Sequence, residues 1–196
     1  IALVYSSAGF GGGSMYISAL SQFTTLTSLP LRFNALVCNA TVTGQSLVQW
    51  RSAITLRKSA YGLLLVAVLP CGVAVLFPLT EVYFLKTLGI ALMLAGGIMA
   101  IQEKWQHWQL NRSERQLHIA SFFIGGIAGF TGIGGGIYLS PLLHLSRWGN
   151  AKEIAQLSAW FIFLNSLISI FIMCRQGADW ADLDGSCLIA VFLGGI

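Results

Sequence analysis

The residues best placed to do chemistry in this chain are glycines and amides rather than acids, bases or thiols. Gly9-Phe-Gly-Gly-Gly13 and Gly132-Ile-Gly-Gly-Gly136 each interrupt a long apolar run. Each glycine costs a helix about 1 kcal/mol relative to alanine, so such a run bends, unwinds or packs very closely. Where the helix resumes, its first N–H groups lack internal partners and carry the positive end of the helix dipole, which suits a small anion. Each cluster precedes a span with embedded polar residues: Asn34, Asn39, Thr41, Thr43 and Gln45 in the first half, and Gln156, Ser158, Asn165 and Ser166 in the second. An unpaired amide is costly in apolar surroundings, so these groups serve interhelical bonds or a substrate. The candidate substrate-binding residues are Gly11, Gly12, Gly13, Asn39, Gly134, Gly135, Gly136, Gln156, Ser158 and Asn165.

The competing reading of the glycines is close helix packing, because Gly9-xxx-Gly13, Gly125-xxx-Gly129 and Gly132-xxx-Gly136 all fit the small-xxx-small pattern. Two equivalent clusters, each paired with a polar span, favour a substrate path. Arg32 and Arg147 follow the two glycine segments and either draw an anion toward the site or mark the membrane interface.

Other chemistries find little support. His107 and His118 fall in the linker region, and His144 sits near a span end without metal-ligand spacing. Cys38, Cys71, Cys174 and Cys187 show no Cys-x-x-Cys spacing, so they read as small core residues rather than metal or redox groups. Asp and Glu avoid the spans, Glu81 lying at a connection, which argues against acid-base catalysis and an intramembrane proton relay. There is no Gly-x-x-x-x-Gly-Lys-Ser/Thr nucleotide loop. No metal, cofactor or nucleic-acid partner is expected.

The elements that must position these residues are membrane spans. Of 196 residues, 56% are hydrophobic and only 9% charged, and the mean hydropathy is +0.75; a soluble domain has about 25% charged residues. Net charge is +4, and the basic residues fall in loops between spans, so they read as topology signals. Apolar runs predict spans over 1–20, 33–50, 61–79 (kinked at Pro70), 83–101, 117–145 with its internal glycines, 154–173, and a seventh from Ser186. Trp105, Trp108, Trp148 and Trp180 lie near span ends as interfacial anchors.

The fold class is thus all-α: a polytopic membrane protein with two tandem repeats of about four transmembrane helices each, glycine-broken at the repeat starts. Repeat one covers 1–102, a polar linker 103–116, and repeat two 117–196, together forming one integral membrane domain. The chain begins without Met and stops within an apolar run, so it reads as clipped at both ends, with the last helix missing. Gly9–Gly13 aligns with Gly132–Gly136, and a one-residue shift aligns Tyr16-Ile-Ser18 with Tyr138-Leu-Ser140. A repeat of four crossings would keep both copies in one orientation, related by an axis along the membrane normal. If every segment crosses, Arg51, Arg57, Lys58, Lys104, Arg112, Arg115 and Arg175 share the cytoplasmic side, and Arg32, Lys86, Arg147 and Lys152 the other. A glycine-broken segment that re-enters would invert this parity.

The run Phe122-Phe-Ile-Gly-Gly-Ile-Ala-Gly-Phe-Thr-Gly-Ile-Gly-Gly-Gly136, then Pro141, Ala155-Gln-Leu-Ser-Ala159 and Asn165-Ser166, resembles the second-half signature of the TauE/SafE membrane transporters. The acidic turn Gln176-Gly-Ala-Asp-Trp180 fits as well. The first half matches at Gly9–Gly13 but has small or polar residues near Ser18 where that family often has proline, and reads Asn34-Ala-Leu-Val-Cys-Asn39 in place of an alanine-threonine-serine pattern. The resemblance implies a permease for small anions, with sulfite and organosulfonates as the associated substrates, in the plasma or inner membrane.

The leading reading is therefore an exporter of a small anion, working in a lipid bilayer, with self-association into a homo-oligomer left open. The alternative is a non-transporting membrane scaffold that binds partner proteins, for which the 102–116 linker is the sole sizeable loop. An enzyme ranks third. Solute flux separates the first two, and a covalently changed product would mark the third.

Overall fold

The computed structural model of this chain describes residues 12–23, 28–50, 56–77, 80–105 and 113–194. They form helices α1 (Gly13–Phe23), α2 (Ser28–Gln49), α3 (Lys58–Leu76), α4 (Glu81–Trp105), α5 (Glu114–Thr131), α6 (Gly136–Leu145), α7 (Ala151–Arg175) and α8 (Gly185–Gly194), with a 3-10 turn at Trp180–Asp182. No strand occurs among the described residues. Gly11 and the rest of the first predicted span up to it lie outside them, as does most of the expected linker, which narrows to the stretch between Trp105 and Glu114. His118 consequently stands on α5, where its Nδ1 donates to the Glu114 carbonyl at 2.7 Å.

Among the described residues α3 and α7 are long and apolar enough to cross a membrane. Pro70 lies inside α3 without ending it. The helix is apolar all round: Ala60, Ala67, Cys71 and Ala74 are buried, while Tyr61, Leu65, Leu69 and Val73 are exposed at helical spacing. A helix with no polar face belongs in a core or in lipid. α5 lies alongside α3 in the same direction, with His118 against Gly62, Gly125 against the Ala67 carbonyl and Gly129 against the Cys71 carbonyl. A Cβ at Gly125 or Gly129 would strike backbone, so these two glycines fulfil the packing reading.

The fifth predicted span is two helices rather than one. α5 ends at Thr131, and α6 starts after Gly132, Gly134 and Gly135, all with positive φ. A Cβ on Gly135 would lie 2.8 Å from Ala128 Cβ and 3.5 Å from Ile124 Cγ2, so the chain has turned back along α5. Leu117 near the start of α5 and Leu143 near the end of α6 share one core with Ala60, Leu63, Leu64, Trp148 and Ile154. α5 and α6 are therefore a helical hairpin whose two outer ends lie level with the start of α3. Trp148 is accordingly 9% exposed, packed under the guanidinium of Arg57, a core residue rather than an interfacial anchor. Trp180 stays exposed, its ring 5.2 Å edge-on from Phe33. The side chain of Trp105 and the whole of Trp108 lie outside the described residues.

α7 starts at a capping box in which Asn150 Oδ1 accepts from Glu153 N and Glu153 Oε2 accepts from Asn150 N, at 2.9 and 3.0 Å. It runs with α3: Leu157 and Phe161 join the Ala60–Leu64 core, Cys71 Sγ lies 3.4 Å from Ser169 Oγ, and Gln176 Nε2 donates to the Val75 carbonyl at 3.0 Å. It runs against α2, since Gly44 faces Phe163 while Phe33 clusters with Met173. α8 follows α2, with Asn34 Oδ1 accepting from Asp184 N at 2.8 Å, Cys38 Sγ 3.9 Å from Cys187 Sγ, and Gln45 Nε2 donating to the Phe192 carbonyl at 2.9 Å. All four cysteines are free thiols within these packed helices.

These directions overturn the expectation that the matching segments share one orientation. The segment following each glycine cluster is α2 in one half and α7 in the other, and these two are antiparallel. The reason is the hairpin: α5 starts and α6 ends beside the start of α3, where the sequence reading took 117–145 as a single span. Arg147 and Lys152 thereby join Arg57, Lys58 and Arg115 at one end, and Arg175 moves to the other.

Candidate substrate site

The glycines act first on local backbone. Gly12 (φ 75°) immediately precedes α1, and Gly135 (φ 80°) immediately precedes α6. This left-handed geometry suits glycine and strains other residues. It lets each helix begin abruptly, at Gly13 and at Gly136, with first-turn N–H groups facing out of the helix end.

The two helix starts are brought to one place. A Cβ on Gly13 would lie 2.9 Å from the carbonyl oxygen of Ile133, inside the α5–α6 break, and would run into the amide of Asn39. Asn39 Nδ2 donates to that same Ile133 carbonyl at 3.0 Å. It also comes within 3.3 Å of the place a Cβ on Gly134 would take, as does Ser166 Oγ. Gly13, Asn39, Gly134 and Ser166 thus surround one point where both breaks meet. Gly136 sits against Ile162 and lies near the Ser158 carbonyl, while Gly135 packs between Ala128 and Phe161.

The side chains here are buried and incompletely bonded. Asn39, Ser158, Asn165 and Ser166 are each at most 1% exposed. Asn39 Oδ1, both amide atoms of Asn165, and the hydroxyls of Ser158 and Ser166 have no hydrogen-bond partner. Buried polar groups are usually paired, and one left alone costs about 1–3 kcal/mol. Those of Asn39 and Ser166, at the meeting point of the two glycine breaks, fit a site that completes its bonds with a passing solute. Gln156 is buried on the same helix toward its Ala151 end and has a partner of its own.

Sequence reading missed Ile162, and it set Arg32 in the connection before its span. Arg32 is not in a connection; it lies in α2, 4% exposed, with Nη2 donating to the Gly129 carbonyl at 2.7 Å and its guanidinium 5.6 Å from the Phe84 ring centroid. There it binds a carbonyl in the last turn of α5, the negative end of that helix. The signal was Ser28-Leu-Pro30, since proline in a first turn marks a helix start. Arg147 stays at the turn after α6, with φ 48°.

Comparison with known proteins gives the chain a family. The family described as Sulfite exporter TauE/SafE matches residues 1–196. A curated relative from Sinorhizobium fredii (strain NBRC 101917 / NGR234), named "Probable membrane transporter protein y4hK", is 31% identical over 211 residues, covering 100% of this chain and 81% of the relative. No solved structure matches. With the glycine-broken hairpin, the apolar helices and a match along its whole length, the chain belongs to the TauE/SafE family of membrane transporters.

Proposed function

We propose that this protein is a multi-pass permease of the plasma or inner membrane that moves a small anion, sulfite or an organosulfonate, out of the cytoplasm. The substrate site lies between the starts of α1 and α6. The observation that carries the reading is the meeting of Gly13, the Ile133 carbonyl and Asn39. It sets one helix start beside the other break, amid unpartnered amides and hydroxyls. Half-helix N-termini aimed at a shared midplane point are how inverted-repeat transporters hold anionic groups. The residues assigned to substrate are Gly12, Gly13, Asn39, Gly134, Gly135, Gly136, Ser158 and Asn165, with Gln156 toward one side and Gly11 in the stretch before α1.

In this reading 1–102 and 117–196 are inverted halves of one domain, joined by the linker. Arg57, Lys58, Arg115, Arg147 and Lys152 mark the cytoplasmic end by the positive-inside rule, and the Asp179 turn faces outside. An inside-negative potential favours anion exit by about 2.3 kcal/mol per charge per 100 mV, so export needs no coupling ion. Substrate and lipid are the partners required.

The test is flux of sulfite, sulfoacetate, sulfate and acetate in proteoliposomes holding the purified protein, with Gly135→Leu as control. Selective movement of sulfur anions, lost in the variant, is the expected result. Absence of flux for all four from folded protein would defeat the reading in favour of a scaffold.

A further inference from the structure

The two helix starts have matched surroundings but unlike chemistry. A side chain on Gly13 would collide with the amide of Asn39, and a side chain on Gly136 with the alkyl branch of Ile162. Asn39 on α2 and Ile162 on α7 therefore hold corresponding places, each closing the mouth of the helix that precedes its own. Ile162 is 2% exposed, and its Cγ2 also stands 2.8 Å from where a Cβ on Gly134 would be, with Asn39 Nδ2 and Ser166 Oγ each 3.3 Å from the same point. The start of α1 thus meets an amide, and the start of α6 meets a branched alkyl group.

This division has consequences for what can bind. Around the start of α1, the second amide hydrogen of Asn39 and the Ser166 hydroxyl are available donors along with the first-turn N–H groups. At the start of α6 the side chain met first is Ile162, which offers nothing to an oxygen. An inorganic oxyanion such as sulfate has oxygens on every face and loses hydrogen bonds wherever it meets isoleucine. An anion with its charge at one end and a short alkyl group at the other satisfies both sides.

We infer that Ile162 is a specificity-determining residue that makes the central site two-faced, selecting small organic anions with a terminal charged group over symmetric inorganic oxyanions. This rests on the anion-transport reading above. Ile162 also packs the core between α6 and α7, so its test needs a readout that packing alone would not move.

That readout is a ratio of rates. Initial flux of sulfite, sulfate, methanesulfonate, ethanesulfonate and propanesulfonate is measured in proteoliposomes for the native protein, Ile162→Asn, Ile162→Ala and Leu157→Ala. Leu157 is buried on the same helix but in the core shared with α3, so it reports general loosening. The native protein should favour the alkyl sulfonates over sulfite and sulfate by about tenfold or more, the worth of a well-placed apolar contact. Ile162→Asn should shrink that preference about tenfold, and Ile162→Ala should move the optimum to a longer chain. Leu157→Ala should lower rates without changing their ratio. Anion flux with no alkyl preference, or a ratio that Ile162→Asn and Ile162→Ala leave unchanged or that Leu157→Ala changes equally, overturns the role of Ile162 alone. No flux of any anion overturns the anion reading as well.

Discussion

Arg57, just before α3, reaches Trp148, just after α6: Nη1 donates to the Trp148 carbonyl at 3.1 Å and the guanidinium lies 5.9 Å from the indole centroid. Arg57 Nε also lies 3.7 Å from Glu153 Oε1. The connection after α2 and the connection after α6 therefore occupy one side, and the α5–α6 hairpin returns to the side it entered. Single cysteines in place of Lys58, Lys152 and Asp179, in a background without native cysteines, test this in intact cells with a membrane-impermeant maleimide. All three positions are exposed. The Asp179 variant should label from outside, and the other two only after permeabilisation. Labelling of the Lys152 variant from outside would mean that the hairpin crosses.

Gly135 combines a φ of 80° with no room for a side chain, since a Cβ would lie 2.8 Å from both Ala128 Cβ and Phe161 Cε1. Left-handed backbone costs a non-glycine residue about 1–2 kcal/mol, and forcing methyl groups into a packed site about 1–3 kcal/mol. Gly135→Ala should thus lower the thermal midpoint in detergent measurably, and Gly135→Leu should abolish flux while the protein still inserts. Native flux from Gly135→Leu would exclude the break from the transport path.

Much of this was legible from residue spacing. The glycine clusters and polar spans follow from local cost and hydropathy, and Gly132–Gly135 form the break where the pattern put it. Direction was not legible, because an apolar run of this length can cross once or fold back on itself with the same composition. Only tertiary contacts such as Arg57 with Trp148 decide. Arg32 was misplaced because a charged residue at the edge of an apolar run reads as interfacial, whereas a carbonyl in the last turn of α5 gives it a buried partner. Ile162 was invisible for another reason: an isoleucine in an apolar span gains meaning only when its counterpart is known to be Asn39.

Gly125 supplies a contrast to Gly135. A Cβ on it would first meet the backbone of Ala67 on α3, and none of Asn39, Gly134 or Ser166. Even Gly125→Ala should separate α3 from α5 and destabilise the fold by about 1–3 kcal/mol. The KM of the protein that remains folded should not change. Thermal unfolding and flux titrations on the same preparation measure both, and a selective rise in KM would tie the α3–α5 seam to substrate binding.

Asn39 separates support from recognition. Asn39→Leu removes the donor to the Ile133 carbonyl and leaves that oxygen buried and unpaired, at a cost of about 1–3 kcal/mol. Asn39→Asp also removes both amide donors. If ionised, its carboxylate repels an anion at the start of α1; if protonated, it offers one donor, which the Ile133 carbonyl claims. Were Asn39 only a brace for the break, the two variants would lose flux in proportion to lost stability. If it faces the anion, Asn39→Asp should retain the higher thermal midpoint when its acid proton replaces the lost bond, yet show the larger rise in KM. Thermal unfolding and anion-dependent flux of both variants at matched pH check the ordering. A KM equal to native in Asn39→Asp would place the anion elsewhere.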